Sequence, residues 1–279
     1  MAKALFRYVG AKNKIIKTIL QFVPEHKNYA EVFGGSAALL LNKKPANDIY
    51  NDINSDVVNI FRILRDEEKS KKLKFLLENT PVSREEFNTF REKIKIETDE
   101  FQRAYMYFYL LKFTFGGKTD TFSFPASKVG QKINKEVNTY LNTLKFFDFY
   151  TERLRQVLVE NLHFKKFFNT YISHWDYNNS FVYLDPPYLK CSEKSSKLYS
   201  TEMKLEDHEE LIKLVLKYEN NAKFLISGFE SDLYKDLLEK QGWKKFSFIR
   251  KCDLKRETQT RQLRQECLWF NYDIKEVAK

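Results

Sequence analysis

The feature that most constrains the fold is an alternation of short apolar strands with turns and amphipathic helices. Residues 28–33 (NYAEVF) read as a strand, followed by the turn Gly34-Gly35-Ser36 and a small-residue helix, AALLLN. A second strand, at about 47–51, ends in the acidic segment NDIN. Strand, glycine turn, helix and a strand with an acid at its end predict the opening of a doubly wound nucleotide-binding sheet.

The same alternation returns in the second half of the chain. There the predicted elements are, in order, a buried strand in SFVYLDPPY, an amphipathic helix in LEDHEELIKLVLKYE, a strand in AKFLISGF, a helix in ESDLYKDLLEKQG and two closing strands, KFSFIRK and ECLWFNY. Strands that alternate with helices of this length favour a parallel sheet covered by helices.

The middle of the chain has a different pattern. From about 55 to 115 the apolar residues recur at helical spacing among many charges, with Ser83 as a predicted N-cap. Residues 116–135 alternate in a way that suggests a hairpin, and a long helix at roughly 137–158 returns the chain to the sheet. This helical segment therefore splits one α/β domain into two stretches of sequence.

Composition excludes several classes of protein. The chain has 279 residues with 43% hydrophobic and 16% aromatic residues, enough for a packed interior and not typical of disorder. No apolar run of about 18 residues predicts a membrane span, and the N-terminus lacks the apolar core of a signal peptide, so we expect a cytoplasmic protein. The thiols Cys191, Cys252 and Cys267 form no Cys-x-x-Cys pair, and we expect no metal.

The formal net charge of +10 favours a polyanionic partner such as nucleic acid. The alternative is a chain that is simply rich in lysine, because charge alone does not separate the two.

The tetrapeptide Asp185-Pro186-Pro187-Tyr188 follows an apolar strand, at the edge where open α/β sheets bind ligands. A carboxylate and a proline-fixed carbonyl can accept the two hydrogens of a planar amine and make its nitrogen more nucleophilic. The tyrosine ring could stack on an extruded base. The pattern suggests methylation of an exocyclic amine, and the alternative is a strand that ends in a proline turn.

The glycine turn lets the backbone approach a ligand, although such a turn is weak evidence and lacks the Gly-Lys-Ser/Thr ending of a P-loop. Asp52 lies about twenty residues after the turn, the spacing at which an acid reaches a ribose hydroxyl. The alternative for Asp52 is an acid at the N-terminus of the next helix, which begins at Asn54 or Ser55.

From near residue 6 to about 272 the chain resembles the Dam-type family of DNA adenine methyltransferases. The segments that carry the resemblance are, in family order, FRYVGAK for the N-terminal cofactor motif, YAEVFGGSAALLLN for the glycine turn, NDINSD for the ribose-binding motif, YLDPPY for the catalytic motif and ISGF with ECLWFNY for the last strands. Two positions depart from the family: Val32 stands where proline is usual and Ala37 where glycine is common.

The resemblance implies an α/β fold, a Rossmann-like class I methyltransferase sheet with an inserted, mainly helical DNA-recognition domain that contains a hairpin. Residues 1–59 and 150–279 would form the catalytic domain and residues 60–149 the insertion. The co-substrate would be S-adenosyl-L-methionine, contacted or enclosed by Tyr8, Lys12, Phe33, Gly35, Asp52 and Asp185. Without the resemblance, Tyr8 would be interpreted as a core aromatic and Lys12 as a solvated lysine.

The resemblance also implies that the insertion and a late basic segment contact DNA. The candidates are Lys118, Lys128, Lys132 and Lys135 in the hairpin region, and Arg250, Lys251 and Arg261 before the last strand. For both segments the alternative is a solvated polar loop. The aromatics Tyr105, Phe108, Tyr109 and Phe113 recur at helical spacing and are predicted core residues.

Other functions remain open from the sequence. An amino methyltransferase acting on cytosine in DNA or on RNA is one, and a non-catalytic DNA-binding protein on the same fold is another. Methylation of a cytosine ring carbon requires a Pro-Cys nucleophile, and no proline here precedes a cysteine.

The expected partner is double-stranded DNA, bound by a monomer of prokaryotic or phage origin, with GATC as the first target to consider. Whether the enzyme acts alone, is phage-borne or accompanies a restriction endonuclease encoded nearby is left open.

Overall fold

One seven-stranded sheet organises the computed structural model, which describes residues 5, 6, 8, 10, 12, 14–115, 118–123, 135–189, 203–251 and 263–274. The strands of this described part are β1 (Asn28–Glu31), β2 (Asn47–Asn51), β3 (Thr114–Phe115), β4 (Lys118–Phe122), β5 (Val157–Glu160), β6 (Ser180–Leu184), β7 (Lys223–Phe229), β8 (Lys244–Lys251) and β9 (Leu263–Phe270).

The sheet has the order β5-β2-β1-β6-β7-β9-β8, and β9 runs antiparallel to both of its neighbours. The chain therefore builds outward from β1 in one direction and then crosses to β6 to build in the other. This reversal between β1 and β6 is a topological switch point, where open α/β sheets bind their ligands. The mixed α/β architecture confirms the predicted Rossmann-like methyltransferase sheet.

Helices cover the sheet. They are α1 (Ile16–Leu20), α2 (Ser55–Arg65), α3 (Glu67–Asn79), α4 (Arg84–Lys93), α5 (Glu100–Lys112), α6 (Lys135–Leu144), α7 (Phe147–Arg155), α8 (Phe164–Thr170), α9 (Leu205–Lys217) and α10 (Asp232–Leu237). α4 begins at the predicted cap, where the Ser83 hydroxyl accepts the backbone N–H of Glu86 at 2.9 Å, and α2 begins after Asn54, whose side chain accepts the backbone N–H of Asp56 at 3.1 Å. Within the described segments, no helix has the length and apolar character needed to span a bilayer.

Successive side chains of each strand point to opposite faces of the sheet. Helices cover both faces of its central strands, so these side chains are buried on either side. On one face Tyr29, Tyr50 and Tyr183 pack with the apolar residues of α2, α3, α5 and α7. On the other face Val182 and Ile226 pack against α8, α9 and α10. The result is a three-layer arrangement whose strands are fixed from both sides.

The helices between β2 and β5 share the first of these cores rather than enclosing a separate one. The Phe61 ring of α2 lies 4.3 Å from the ring of Tyr50, and Phe6 contacts both Phe61 and Phe108 of α5. The predicted core aromatics Phe108, Tyr109 and Phe113 are buried, whereas Tyr105 is half-buried. The division at residues 60 and 149 stays a prediction.

Three local predictions require correction. The segment AALLLN forms successive turns and not a regular helix, because its backbone hydrogen bonds mix spacings of three and four residues: Leu41 bonds to the Ala37 carbonyl, whereas Asn42 and Lys43 both bond to that of Leu39. The long helix at 137–158 is instead α6, α7 and the edge strand β5, which is too short to give a periodic signal. The hairpin is β3 paired with β4 and begins at Thr114, while residues 124–134 lie outside the described residues.

Candidate active site

The candidate site lies at the carboxyl edge of the sheet, beside the switch point. β1 ends at Glu31, which is aligned with Tyr183 of β6, and Asp185 follows the end of β6. β2 ends at Asn51, and Asp52 follows it. Because parallel strands all end at this edge, their topology brings three acids from distant parts of the sequence to one side of the sheet.

Asp185 is held by a cation and a hydroxyl. The ammonium nitrogen of Lys12 lies 2.6 Å from Oδ1 of Asp185, and the Ser227 hydroxyl donates to the same oxygen at 2.8 Å. Lys12 is buried, with 3% of its surface exposed, and also donates to the carbonyl of Gly10 at 2.8 Å. Burial raises the pKa of Asp185, and Lys12 and Ser227 oppose that rise.

Tyr188 is fixed through both its hydroxyl and its ring. The hydroxyl donates to Oε1 of Glu266 at 2.9 Å, and Glu266 is fully buried on β9. The Lys12 ammonium lies over the Tyr188 ring, 4.6 Å from its centroid, and the Phe229 ring meets it in a T-shaped arrangement at 4.6 Å. Burial raises the pKa of Tyr188, so the hydroxyl stays protonated and remains a donor.

The two prolines between these residues have different surroundings. Pro186 is buried and Pro187 is partly exposed. The Pro187 carbonyl accepts a hydrogen bond from Nε2 of His208 at 3.0 Å. Since proline fixes φ and has no N–H, this contact sets the direction of the tetrapeptide backbone.

Two tyrosine rings fill the space around the glycine turn. A Cβ on Gly34 would lie 2.2 Å from a ring atom of Tyr50, and one on Gly35 would lie 2.8 Å from a ring atom of Tyr8. Gly35 also has φ +48°, a conformation that L side chains rarely adopt. The Tyr50 hydroxyl donates to the Gly35 carbonyl at 2.8 Å, which fixes the turn to the end of the neighbouring strand.

Asp52 links the glycine turn to the start of α2. Its Oδ2 accepts the backbone N–H of Gly35 and its Oδ1 accepts that of Asn54, both at 2.8 Å. The Asn54 amide in turn donates to the Tyr8 hydroxyl at 3.3 Å. Burial raises the pKa of Asp52. The carboxylate thus organises the loop, and each oxygen keeps a second lone pair for another donor.

Glu31 organises the segment after the turn. Its Oε2 accepts from the Tyr29 hydroxyl at 3.0 Å and from the backbone N–H of Leu40 at 2.9 Å. Burial raises its pKa to about 8, so the group is largely protonated at neutral pH. Phe33 lies between Glu31 and the glycines in sequence, and its partly buried ring packs 6.0 Å from that of Phe164 on α8.

The predicted cofactor and catalytic residues thus fall into two connected groups. Tyr8, Gly35 and Asp52 meet through Asn54. Lys12, Asp185 and Tyr188 meet directly and through Glu266.

Of the predicted DNA-contacting residues, the structure describes some by their backbone only and others not at all. Lys118 begins β4, Lys135 begins α6, and Arg250 and Lys251 end β8, where the structure describes the backbone alone. Lys128, Lys132 and Arg261 lie outside the described residues. Their contacts with DNA stay predictions.

The sequence analysis missed four residues that support the tetrapeptide: Ser227, Glu266, His208 and Tyr234. Two of them lie in segments predicted as strands: Ser227 in ISGF and Glu266 in ECLWFNY. A single carboxylate or hydroxyl inside an otherwise apolar, buried strand was the available signal, because such a group needs a partner.

An open α/β sheet with acids and aromatic residues at its switch point defines an enzyme that binds a nucleotide-like ligand. In the described residues no group of three or more His, Cys, Asp or Glu side chains could hold a metal ion. The chain belongs to the D12 class N6 adenine-specific DNA methyltransferases, whose family profile matches residues 8–252. It is therefore an adenine-specific DNA methyltransferase, and the resemblance to the Dam-type family is confirmed.

Individual relatives are distant. The chain is similar to the DNA adenine methylase of Serratia marcescens, with 22% identity over 245 residues that cover 84% of this chain and 86% of the relative. Similarity to the DNA adenine methylase of Escherichia coli K12 is 26% over 117 residues, 41% of this chain and 42% of that protein. The modification methylase StsI of Streptococcus sanguinis is 22% identical over 203 residues, 67% of this chain and 29% of that protein.

Proposed function

We propose that this chain transfers the methyl group of S-adenosyl-L-methionine to the exocyclic amino group of an adenine that is flipped out of double-stranded DNA. The observation that carries the proposal is Asp185, which follows the end of β6, lies partly buried near the Tyr188 ring and is held by Lys12 and Ser227. An amine that reacts here would find a fixed acceptor and a ring on which its base can stack.

The residues present fit S-adenosyl-L-methionine. Asp52 is fixed by two backbone donors and keeps lone pairs that a ribose diol could use. Phe33 offers a partly exposed ring at the end of β1. Asp185 supplies a carboxylate, the group expected near a cationic ligand. When bound, S-adenosyl-L-methionine would supply an electrophilic methyl carbon.

The two oxygens of Asp185 have separate tasks in this proposal. Among the described residues, Lys12 and Ser227 both approach Oδ1. Oδ2 is then the oxygen that accepts one hydrogen of the target amine, and the carbonyl of Pro186 accepts the other. Both contacts increase electron density on the nitrogen as it attacks, and no covalent intermediate with the protein forms.

Tyr188 would stack on the flipped adenine. Its hydroxyl bond to Glu266 fixes the plane of the ring, so that the ring is in place before the base enters. Tyr188→Ala should therefore weaken capture of the flipped base by about 1–3 kcal/mol. The net charge of +10 would attract the DNA backbone, and the monomer would be the active species.

The target sequence and the biological setting are also proposals. The resemblance to the Dam-type family makes GATC the first sequence to test. The relative named a modification methylase supports a role beside a restriction endonuclease, and solitary or phage-borne roles are the other two settings.

The test is transfer of tritium from labelled S-adenosyl-L-methionine to nucleic acids, followed by identification of the modified nucleoside. Label in N6-methyladenine from adenine-containing duplexes, with none in a duplex of guanine and cytosine only, supports the proposal. Label in N4-methylcytosine or in RNA would support the amino methyltransferase alternatives. DNA binding without transfer would indicate a non-catalytic protein. Sequencing genomic DNA from cells with and without the chain would identify the target.

A further inference from the structure

A buried histidine links the catalytic tetrapeptide to two helices. His208, in the first turn of α9, has 1% of its surface exposed. Its Nε2 lies 3.0 Å from the carbonyl oxygen of Pro187, and its Nδ1 lies 2.9 Å from the hydroxyl oxygen of Tyr234 on α10. Both ring nitrogens therefore have partners inside the protein.

The chemistry of these partners determines where the imidazole proton lies. A carbonyl oxygen can only accept, so Nε2 must carry the hydrogen that is shared with Pro187. In a neutral ring Nδ1 is then an acceptor, and the Tyr234 hydroxyl must donate to it. Burial lowers the pKa of His208 to about 4, which keeps the ring neutral at physiological pH.

Tyr234 is itself fixed. Its backbone N–H bonds to the Ser231 hydroxyl that caps α10, and its ring packs 4.8 Å from that of Trp269 on β9. The hydroxyl of Tyr234 therefore approaches His208 from a fixed direction and favours one tautomer.

We infer that His208 and Tyr234 are positioning residues for methyl transfer, which set the carbonyl of Pro187 and thereby the geometry of the Asp185–Tyr188 turn. The inference rests on the proposed function of that turn. With the Pro187 carbonyl held by His208, the carbonyl of Pro186 is the one left to face the target amine. A change of less than an ångström in this turn would misdirect the acceptor pair, and misplacement on that scale lowers rates strongly.

The sharpest variant is Tyr234→Phe, which keeps the aromatic packing on Trp269 and removes only the donor to Nδ1. Without that donor Nδ1 loses its partner, and the imidazole ring is held by the Pro187 carbonyl alone. We expect the turnover number to fall by about tenfold, with the KM for DNA and for S-adenosyl-L-methionine unchanged within about twofold. Tyr218→Phe is the matched control, because it removes a surface bond from Tyr218 to Asn169 and should leave turnover unchanged.

A second pair of variants tests the contact with Pro187. The amide of His208→Gln can donate to the carbonyl and should retain more turnover than His208→Leu, which cannot. Thermal melting of each variant shows whether it is folded, and comparison is made between folded variants.

Nitrogen-15 NMR of the histidine side chains gives a readout that does not depend on activity. The wild-type chain should show His208 as the neutral Nε2–H tautomer at pH 7. Tyr234→Phe should keep that tautomer, because the Pro187 carbonyl still accepts from Nε2, while the Nδ1 signal shifts as its hydrogen-bond donor is lost. An imidazolium or an Nδ1–H tautomer in the wild type would overturn the inference, as would full turnover in folded His208→Leu. Absence of transfer by the wild type would overturn the proposed function instead, and the tautomer measurement separates the two failures.

Discussion

The ammonium nitrogen of Lys12 lies 2.6 Å from Oδ1 of Asp185, although Lys12 precedes the first strand and Asp185 follows β6. Lys12 is almost completely buried, and 17% of the Asp185 side chain is exposed. Taking two such charges out of water offsets most of their attraction, so the pair is weak evidence for stability. Its value lies in opposing the rise that burial causes in the pKa of Asp185, which favours the ionised form.

Removal of the Lys12 charge should change the pH dependence of methyl transfer. Burial raises the pKa of Asp185 and Lys12 lowers it, so in Lys12→Gln the pKa rises further. Activity that requires ionised Asp185 is lost as pH falls through that pKa. The acidic limb of the turnover profile should therefore move to higher pH. Lys17→Gln, at an exposed lysine of α1, should leave the profile unchanged.

The Tyr188–Glu266 bond should behave as a coupled pair. Tyr188→Phe keeps the ring but leaves the buried Glu266 carboxylate without that donor, which should weaken transition-state binding by about 1–3 kcal/mol. Glu266→Leu, which has no acceptor for the Tyr188 hydroxyl, should produce a loss of similar size. In the double variant the two effects should not add, with an interaction energy of about 0.5–3 kcal/mol. Simple additivity in steady-state kinetics would argue that the bond has no role.

Glu31 should make stability depend on pH. Its pKa is about 8 in the folded chain against an ordinary value of 4.5, so the folded state holds a proton that the unfolded state releases. This contribution is complete below about pH 4.5 and is lost as pH rises through 8. Glu31→Gln should flatten that decline, with a difference of a few kcal/mol by pH 9. Urea unfolding across pH measures it, and the exposed Glu25→Gln is the control that should match the wild type.

Ala37 carries backbone strain that a glycine would relieve. Its φ of +54° costs an L residue roughly 1–2 kcal/mol. In Ala37→Gly that relief should offset the lost methyl burial and the added chain entropy, leaving the free energy of unfolding within about 0.5 kcal/mol of wild type. Ala38→Gly removes a similarly buried methyl without any positive φ to relieve, and should lose about 1–2 kcal/mol. Equal losses in both variants would show that position 37 is not strained.

Sequence patterns predicted those strands and helix ends that depend on residues close together in the sequence. The strands before the glycine turn and before the tetrapeptide follow from periodicity, and the cap Ser83 follows from a side chain that can bond its own backbone. The same patterns gave wrong elements where the secondary structure depends on a contact with residues far away in the sequence. β5 is too short to be periodic and exists because it pairs with β2. The segment AALLLN has residue types that favour a helix, but its hydrogen bonds close successive turns, which the residue types do not predict.

In the candidate active site, too, some residues could be predicted from the sequence and others could not. Asp185 and Asp52 could be predicted because strand ends place them at one edge of the sheet. The support from Glu266 and His208 could not, because each contact joins residues that are far apart in sequence and depends on how β9 and α9 pack. A buried charge in an apolar strand predicts that a partner exists but does not say which one.

The most direct test of the account is methyl transfer by Asp185→Ala, measured as N6-methyladenine formed in duplex DNA alongside DNA affinity and thermal melting of the same variant. Lys12 still has Glu266 at 3.9 Å as a countercharge, so we expect the variant to fold. We expect N6-methyladenine to fall to background, while DNA affinity stays within about twofold of wild type, a change of under 0.5 kcal/mol in the free energy of binding. Turnover close to that of the wild type would contradict the assignment of Asp185 as the acceptor of the target amine.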